Sequence, residues 1–278
     1  MSFLGKLPVF LLLGILCGCV PFSDLLKIPD IEAEEASKEQ SLKIASISEA
    51  VGNYSAAIDI YIKLLSEDPT NEELLFKLAN SYLQAGARKD AADVFEQLDK
   101  LDPDNKETQL ALGRVNLSLF RPEIAKLYFE KTLRLMPADY MALSGLGITE
   151  DMAGNHEIAR SRFKEALNIS PDKKSILNNI ALSYLLEGQF KTSIQMLSEI
   201  AFDSNSTQLI RQNLAMAYGL AGDREAAKRV SRLDLNPETT ETNLRYYDLL
   251  RKMDDRTAFR RLLLGTRGSG STLYEGPS

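Results

Sequence analysis

YMALSGLGITEDMAGNHEIARSRFKEALNISPDK, residues 140–173, is one copy of a unit that the chain repeats. Its Pro171 has counterparts at Pro69, Pro103 and Pro137, three successive intervals of 34 residues, which chance does not produce in a chain of ten prolines. Placing each proline near the end of its unit starts six units at Lys38, Glu72, Lys106, Tyr140, Lys174 and Gln208. Small residues then fall into register at Ala45, Ala79, Gly113, Gly147, Ala181 and Ala215, each preceded by a large apolar residue: Ile44, Leu78, Leu112, Leu146, Ile180 and Leu214. A second small position holds Ala57, Ala91, Ala125, Ala159, Ser193 and Ala227, and four residues on come Tyr61, Phe95, Phe129, Phe163, Leu197 and Ser231. Small residues let two antiparallel helices approach closely, and the large side chain fills the space beyond them. Between the two helices stand Gly52, Gly86, Gly154, Gly188 and Gly222, where a left-handed residue ends a helix. The third unit has Phe120 there, followed by Arg121 and Pro122. Pro122 suits the first turn of the next helix, so a differently built turn is expected.

This register resembles the tetratricopeptide repeat over residues 38–241. The resemblance implies an all-α fold, a right-handed α-solenoid of about six tetratricopeptide repeats with a C-terminal capping helix. The first-helix Trp of that family is absent; Ser41, Leu75, Gln109, Leu143, Leu177 and Arg211 stand at its position. The fifth and sixth units lack the regular terminal proline, having Asn205 and an early Pro237, so irregular geometry is expected there. Residues 242–264 read as one further helix, from Asn243 to Leu264, that covers the open end of the solenoid. Residues 265–278 are rich in Gly and Ser and read as a mobile tail.

The amino terminus reads as an address. Residues 1–18 combine Lys6 with a ten-residue apolar stretch, Leu7 to Leu16, short for a membrane span and suited to a secretory signal. Leu16-Cys17-Gly18-Cys19 resembles the bacterial lipobox. That resemblance implies cleavage before Cys19 and its modification with diacylglyceryl and an amide-linked acyl chain such as palmitate; several chains anchor firmly where one would not. The alternative is a signal cut elsewhere, leaving a soluble protein with a spare thiol. Val20 rather than Asp follows the cysteine, which in such lipoproteins favours the outer membrane, facing the periplasm. Residues 19–37, with Pro21, Pro29 and the acidic run Asp30, Glu32, Glu34 and Glu35, read as an extended tether. An ordered first helix from Ile31 onward is the alternative for its second half.

Composition excludes several function classes. With 33 Lys and Arg against 39 Asp and Glu, the chain carries a charge of −6, which disfavours broad binding to nucleic acid. One His and two Cys, both within the first nineteen residues, exclude a His/Cys zinc site and a disulfide framework. His156 falls in a turn region beside Gly154 and Asn155, with no nucleophile evident, and reads as an exposed turn residue. Asp254 and Asp255 read as solvated carboxylates. No phosphate-binding loop, metal motif or cofactor signature occurs, so the chain reads as a non-catalytic binding protein.

Family geometry assigns the concave face to defined positions of each first helix. Here they hold Phe76, Asn80, Leu83, Leu110, Arg114, Leu117, Met141, Ile148 and Met152, then Asn178, Leu182, Leu185, Gln212, Met216 and Leu220. This aliphatic surface with scattered amides suits an amphipathic helix or an apolar segment of a partner. It lacks the basic pattern by which some relatives clamp a terminal carboxylate. The alternative for any one of these residues is packing against a neighbour or the capping helix. The terminal helix carries Arg245, Arg251, Lys252, Arg256, Arg260 and Arg261, readable as a headgroup-binding or acidic-partner stripe or as a solvated face.

The stretch Asp234-Leu235-Asn236-Pro237 through Asn243-Leu244-Arg245-Tyr246-Tyr247, with Leu250 behind it, is similar to the ending of TadD-like lipoproteins of tight-adherence (Flp) pilus assembly. The resemblance implies an adaptor that helps place or assemble the outer-membrane secretin, with secretin or pilus-assembly proteins as partners. Two rival readings share most features: a scaffold of another outer-membrane machine, such as a pilotin or barrel assembly, and an activator of a cell-wall synthase or hydrolase.

Overall fold

Helix follows helix through the whole of the computed structural model, which describes residues 27–265, apart from the side chains of residues 27–34, 36, 261, 264 and 265. The expected signal peptide, the lipid site Cys19 and residues 266–278 of the expected tail lie outside the described residues. The first helices of the six units are α1 (Lys27–Ala50), α3 (Glu72–Gln84), α5 (Lys106–Ser118), α7 (Tyr140–Ala153), α9 (Lys173–Glu187) and α11 (Gln208–Ala221). Their partners are α2 (Tyr54–Leu65), α4 (Arg88–Leu101), α6 (Pro122–Leu135), α8 (His156–Ile169), α10 (Phe190–Ala201) and α12 (Arg224–Ser231). Two more follow, α13 (Pro237–Arg251) and α14 (Arg256–Gly265), and the described residues contain no strand. Each helix packs on its sequence neighbours, and consecutive first helices touch one another, the arrangement of a solenoid.

Local chemistry places the helix starts. Two residues beyond the prolines at 69, 103 and 137 stand Asn71, Asn105 and Asp139, whose side chains accept from the backbone N–H groups of Leu74, Thr108 and Ala142 at 3.0, 3.0 and 2.8 Å. These caps satisfy amides that the first turn would otherwise leave unpaired. The core is the predicted register. A Cβ built on Gly113 would lie 2.4 Å from the Phe129 ring, one on Gly145 2.4 Å from the same ring, and one on Gly147 2.5 Å from Phe163. Phe129 and Phe163 are fully buried.

Four expectations need correction. Helix α1 begins at Lys27, where an extended tether was expected to run on to residue 37. Pro29 falls in its first turn, where N–H groups have no acceptor within the helix and a proline is tolerated. Ile44 is half exposed although its five counterparts are buried, because the other first helices lie against a preceding second helix and α1 has no predecessor among the described residues. The expected single terminal helix is two, broken between Arg251 and Arg256, where the Asp255 carboxylate accepts from the N–H groups of Thr257 and Ala258 and starts α14 afresh.

The third inter-helix turn is built like the others. Phe120 adopts φ 57°, the left-handed conformation that glycine takes in the sister turns. Its N–H donates to Leu117 O (3.0 Å) and that of Arg121 to Asn116 O (2.9 Å), matching Gly86 to Leu83 (3.0 Å) and Ala87 to Tyr82 (2.8 Å). Pro122 opens α6 as expected. A left-handed side chain is strained by about 1–2 kcal/mol, and Phe120 is half exposed, so its ring recovers little by burial. Phe120→Gly is therefore expected to stabilise the protein by about 1 kcal/mol, read as a higher urea midpoint with an unchanged slope.

The sixth unit is irregular, as anticipated. Helix α12 has only 8 residues, and Ser231 occupies the place of the aromatic knob. The loop after it is held by Asp234, which accepts from Arg211 Nη2 (2.6 Å), Arg211 Nε (2.9 Å) and Gln212 Nε2 (3.2 Å). The Arg211 guanidinium holds the Asp234 carboxyl below the usual carboxylate range. Folding thus favours the ionised form, so the contribution is complete above the ordinary carboxylate pKa and fades as pH falls through the lowered folded value. Asp234→Asn is expected to cost about 1–2 kcal/mol at pH 7. The difference from wild type should shrink at pH 3, in paired urea titrations.

Candidate protein-binding groove

The first helices line one face of the array, and the residues assigned to it fall into two unlike halves. In the amino-terminal half, Phe76, Asn80 and Leu83 on α3, Leu117 on α5, and Met141, Ile148 and Met152 on α7 are half-buried. Leu110 is 9% exposed and Arg114 is exposed. Phe76 is held edge-on against Phe95, their ring centroids 5.7 Å apart. Leu110 is buried and Ile148 packs on the core that α14 joins; the other side chains keep surface that a partner could reach.

The carboxy-terminal half is closed, which corrects the expectation for five residues. Asn178, Leu182, Leu185, Gln212 and Met216 are exposed by 5% or less. Two causes act. Leu182, Leu185 and Met216, with Leu220, belong to the same core as Phe259 and Leu263 of α14, which are 1% and 2% exposed. Helix α14 turns back against α7, and the Tyr246 hydroxyl of α13 donates to Leu262 O at 3.1 Å. The amides are consumed by structural contacts: Asn213 Nδ2 donates to Asn178 Oδ1 (2.9 Å), Asn179 Nδ2 to Ser144 Oγ (3.2 Å), and Gln212 binds Asp234. The chain fills half of its own groove.

Three arginines secure this fold-back, and their role was not read from the sequence. A Cβ placed on Gly154 would meet the Arg260 guanidinium at 3.1 Å, one on Gly188 would lie 4.0 Å from Arg256, and one on Gly222 2.6 Å from Arg251. These glycines end α7, α9 and α11, so each cation sits at the negative end of a first helix. Arg256 also lies over the Phe259 ring, 5.6 Å from its centroid. Matching the spacing of Arg251, Arg256 and Arg260 against the 34-residue spacing of the glycines would have offered a signal only once α14 was known to turn back.

His156 also departs from expectation. It is 8% exposed, and its Nδ1 lies 2.8 Å from Asp151 Oδ1, to which Ser183 Oγ donates at 2.8 Å. The carboxylate stands between hydroxyl and imidazole, so the imidazole is not placed to take the serine proton. Arg160 extends the cluster to Glu187 at 2.9 Å and lies over Tyr184 at 4.4 Å. This network ties α7, α8 and α9 together. Glu150 is paired with Lys126 at 2.7 Å; burial raises its pKa, but hydrogen bonds from Lys126 and Asn155 outweigh that and lower it. Asp254 and Asp255 are exposed, as read, although Asp255 caps α14. Among the described residues no group of His, Cys, Asp and Glu could hold a metal ion, and no helix is long and apolar enough to cross a membrane.

Residues 50–115 match the family model of the tetratricopeptide repeat. The structure resembles that of a tetratricopeptide repeat protein from Parabacteroides merdae, at 19% identity and a TM-score of 0.68, covering 76% of this chain and 84% of that one. It also resembles a thermophilic repeat protein of Thermus thermophilus (21% identity, TM-score 0.55, 65% of this chain and 98% of that one) and MamA protein (24%, 0.51, 61% and 97%). At such identities the likeness is one of fold. No curated protein matches the chain.

If α14 holds the carboxy-terminal half shut, Phe259→Asp should release it, since a buried carboxylate cannot stay ionised in that core. Amide exchange across residues 256–265 is then expected to rise roughly tenfold or more. The ends of α9 and α11 should also lose protection, while α3 and α4 remain unchanged.

Proposed function

We propose that this tetratricopeptide-repeat protein is a lipid-anchored adaptor that helps place or assemble an outer-membrane secretin in tight-adherence pilus biogenesis. Tetratricopeptide folds are protein-interaction scaffolds, and the open amino-terminal half of the groove is the surface such a scaffold offers. The observation that carries the reading is where that surface lies. Seven residues, eight Cα steps, separate the lipobox cysteine Cys19 from the start of α1, a reach of at most about 28 Å. An acylated Cys19 would therefore keep the open half nearer the membrane than the half closed by α14. Tethering of this kind raises the effective concentration of the groove for a membrane-inserted partner without demanding a tight contact. The ending Asp234 to Tyr247, similar to that of TadD-like lipoproteins, supports the pilus pathway and a periplasm-facing position at the outer membrane.

Deleting the gene is expected to abolish pili and leave the secretin misplaced or unassembled. Cys19→Ala should abolish incorporation of labelled palmitate and reproduce the secretin defect with the chain still present. Normal pili and normal secretin in the deletion strain would refute the pilus assignment. Crosslinking and pull-down of the lipidated chain would then separate a scaffold of another outer-membrane machine from an activator of a cell-wall enzyme.

A further inference from the structure

Arg114 is the one charged side chain among the residues assigned to the open half of the groove. It occupies the same register position on α5 as Asn80 on α3 and Ile148 on α7, and as Leu182 and Met216 in the closed half. Its residue is solvent-exposed, and partial desolvation on this concave face pulls its pKa below the ordinary arginine value. Among the described residues no carboxylate or other acceptor pairs with it. Other arginines near the groove lie against partners of their own chain: Arg160 pairs with Glu187 and Arg211 with Asp234, while Arg251, Arg256 and Arg260 lie near helix ends. An exposed cation set among apolar side chains, with no counter-ion from its own chain, is free to pair with an anionic group brought by a partner. A carboxylate on a docked helix would supply that partner, and docking would exclude water from the pair and strengthen it.

The closed half indicates the form of the occupant. There the groove already takes a helix, α14, which buries Phe259 and Leu263, four residues apart on one helical face. The open half presents an apolar lining in the half-buried Phe76, Leu83, Leu117 and Met141, with Arg114 on the first helix between them. A second copy of α14 is excluded as its occupant by charge, since Arg256 and Arg260 would be brought towards Arg114. We propose that the open half docks an amphipathic helix of a partner protein whose apolar face carries one carboxylate, and that this carboxylate pairs with Arg114. The proposal deepens the adaptor reading by naming the partner's chemistry; it rests on protein binding and not on the pilus pathway.

The test uses a displayed library of helical peptides with apolar residues fixed at i, i+4 and i+7 and all other positions randomised, selected against the full chain. Asp or Glu should be enriched at a single position flanked by the apolar residues, and selection against Arg114→Glu should replace it with Lys or Arg. For one selected peptide, Arg114→Gln and a Glu→Gln change in the peptide should each weaken binding about tenfold, and together no more than either alone. Arg114 holds nothing in the fold, so both variants should keep the wild-type circular dichroism and urea midpoint. Three results would overturn the proposal: no enrichment over bare matrix, enrichment without an acidic position, or the same peptides from wild type and Arg114→Glu. Enrichment of basic sequences like that of residues 256–265 would overturn it as well, and would make a second copy of the chain the occupant. Acidic selection combined with normal pili in the deletion strain would remove the pilus assignment and leave this inference standing.

Discussion

An aromatic ring driven against a residue without a side chain holds this molecule together. Phe129 lies between Gly113 of its own unit and Gly145 of the next, each so close that an added Cβ would overlap the ring. The contact is therefore made within a unit and across a boundary at once. It sets how near the helices approach, and repetition of that approach every 34 residues turns a helical pair into an array. Where the knob fails, the array changes character. Ser231 stands in its place in the sixth unit, α12 stops after 8 residues, and the chain relies on the Arg211–Asp234 pair to carry it into α13.

A curved array of first helices creates a long apolar surface, and this chain handles its two halves differently. Over the carboxy-terminal half, α14 supplies Phe259 and Leu263 as the apolar filling. Arg251, Arg256 and Arg260 are set at the glycine-capped ends of three successive first helices. Three cations of the basic stripe thus sit at helix ends, while Arg245, Arg251, Lys252 and Arg256 remain exposed to solvent. Over the amino-terminal half nothing in the described chain plays that part, and an exposed aliphatic surface surrounds one unpaired arginine.

The fold was legible because its determinants are periodic. All twelve positions expected to hold small residues are buried, and so are the six knobs. Departures came where a residue's surroundings, not its type, decide the outcome. Ile44 carries the right side chain in the right register and is exposed because no helix among the described residues precedes α1. Phe120 carries the wrong side chain for its turn and adopts the glycine conformation nonetheless, since the flanking helices fix where the chain must go. His156 looked like a turn residue and is buried, because Asp151 and Ser183 meet it from two different units.

The sequence by itself determined the repeating unit, the number of units, the residues of the core and the positions that face inward along the first helices. Those properties follow from spacing, and spacing is written along the chain. Only the tertiary structure decided which inward positions remain available. Leu182 and Asn80 occupy the same place in the pattern, yet Leu182 shares a core with α14 while Asn80 keeps part of its surface open. That difference depends on where a segment some seventy residues beyond Leu182 folds back, a long-range contact that no local period encodes.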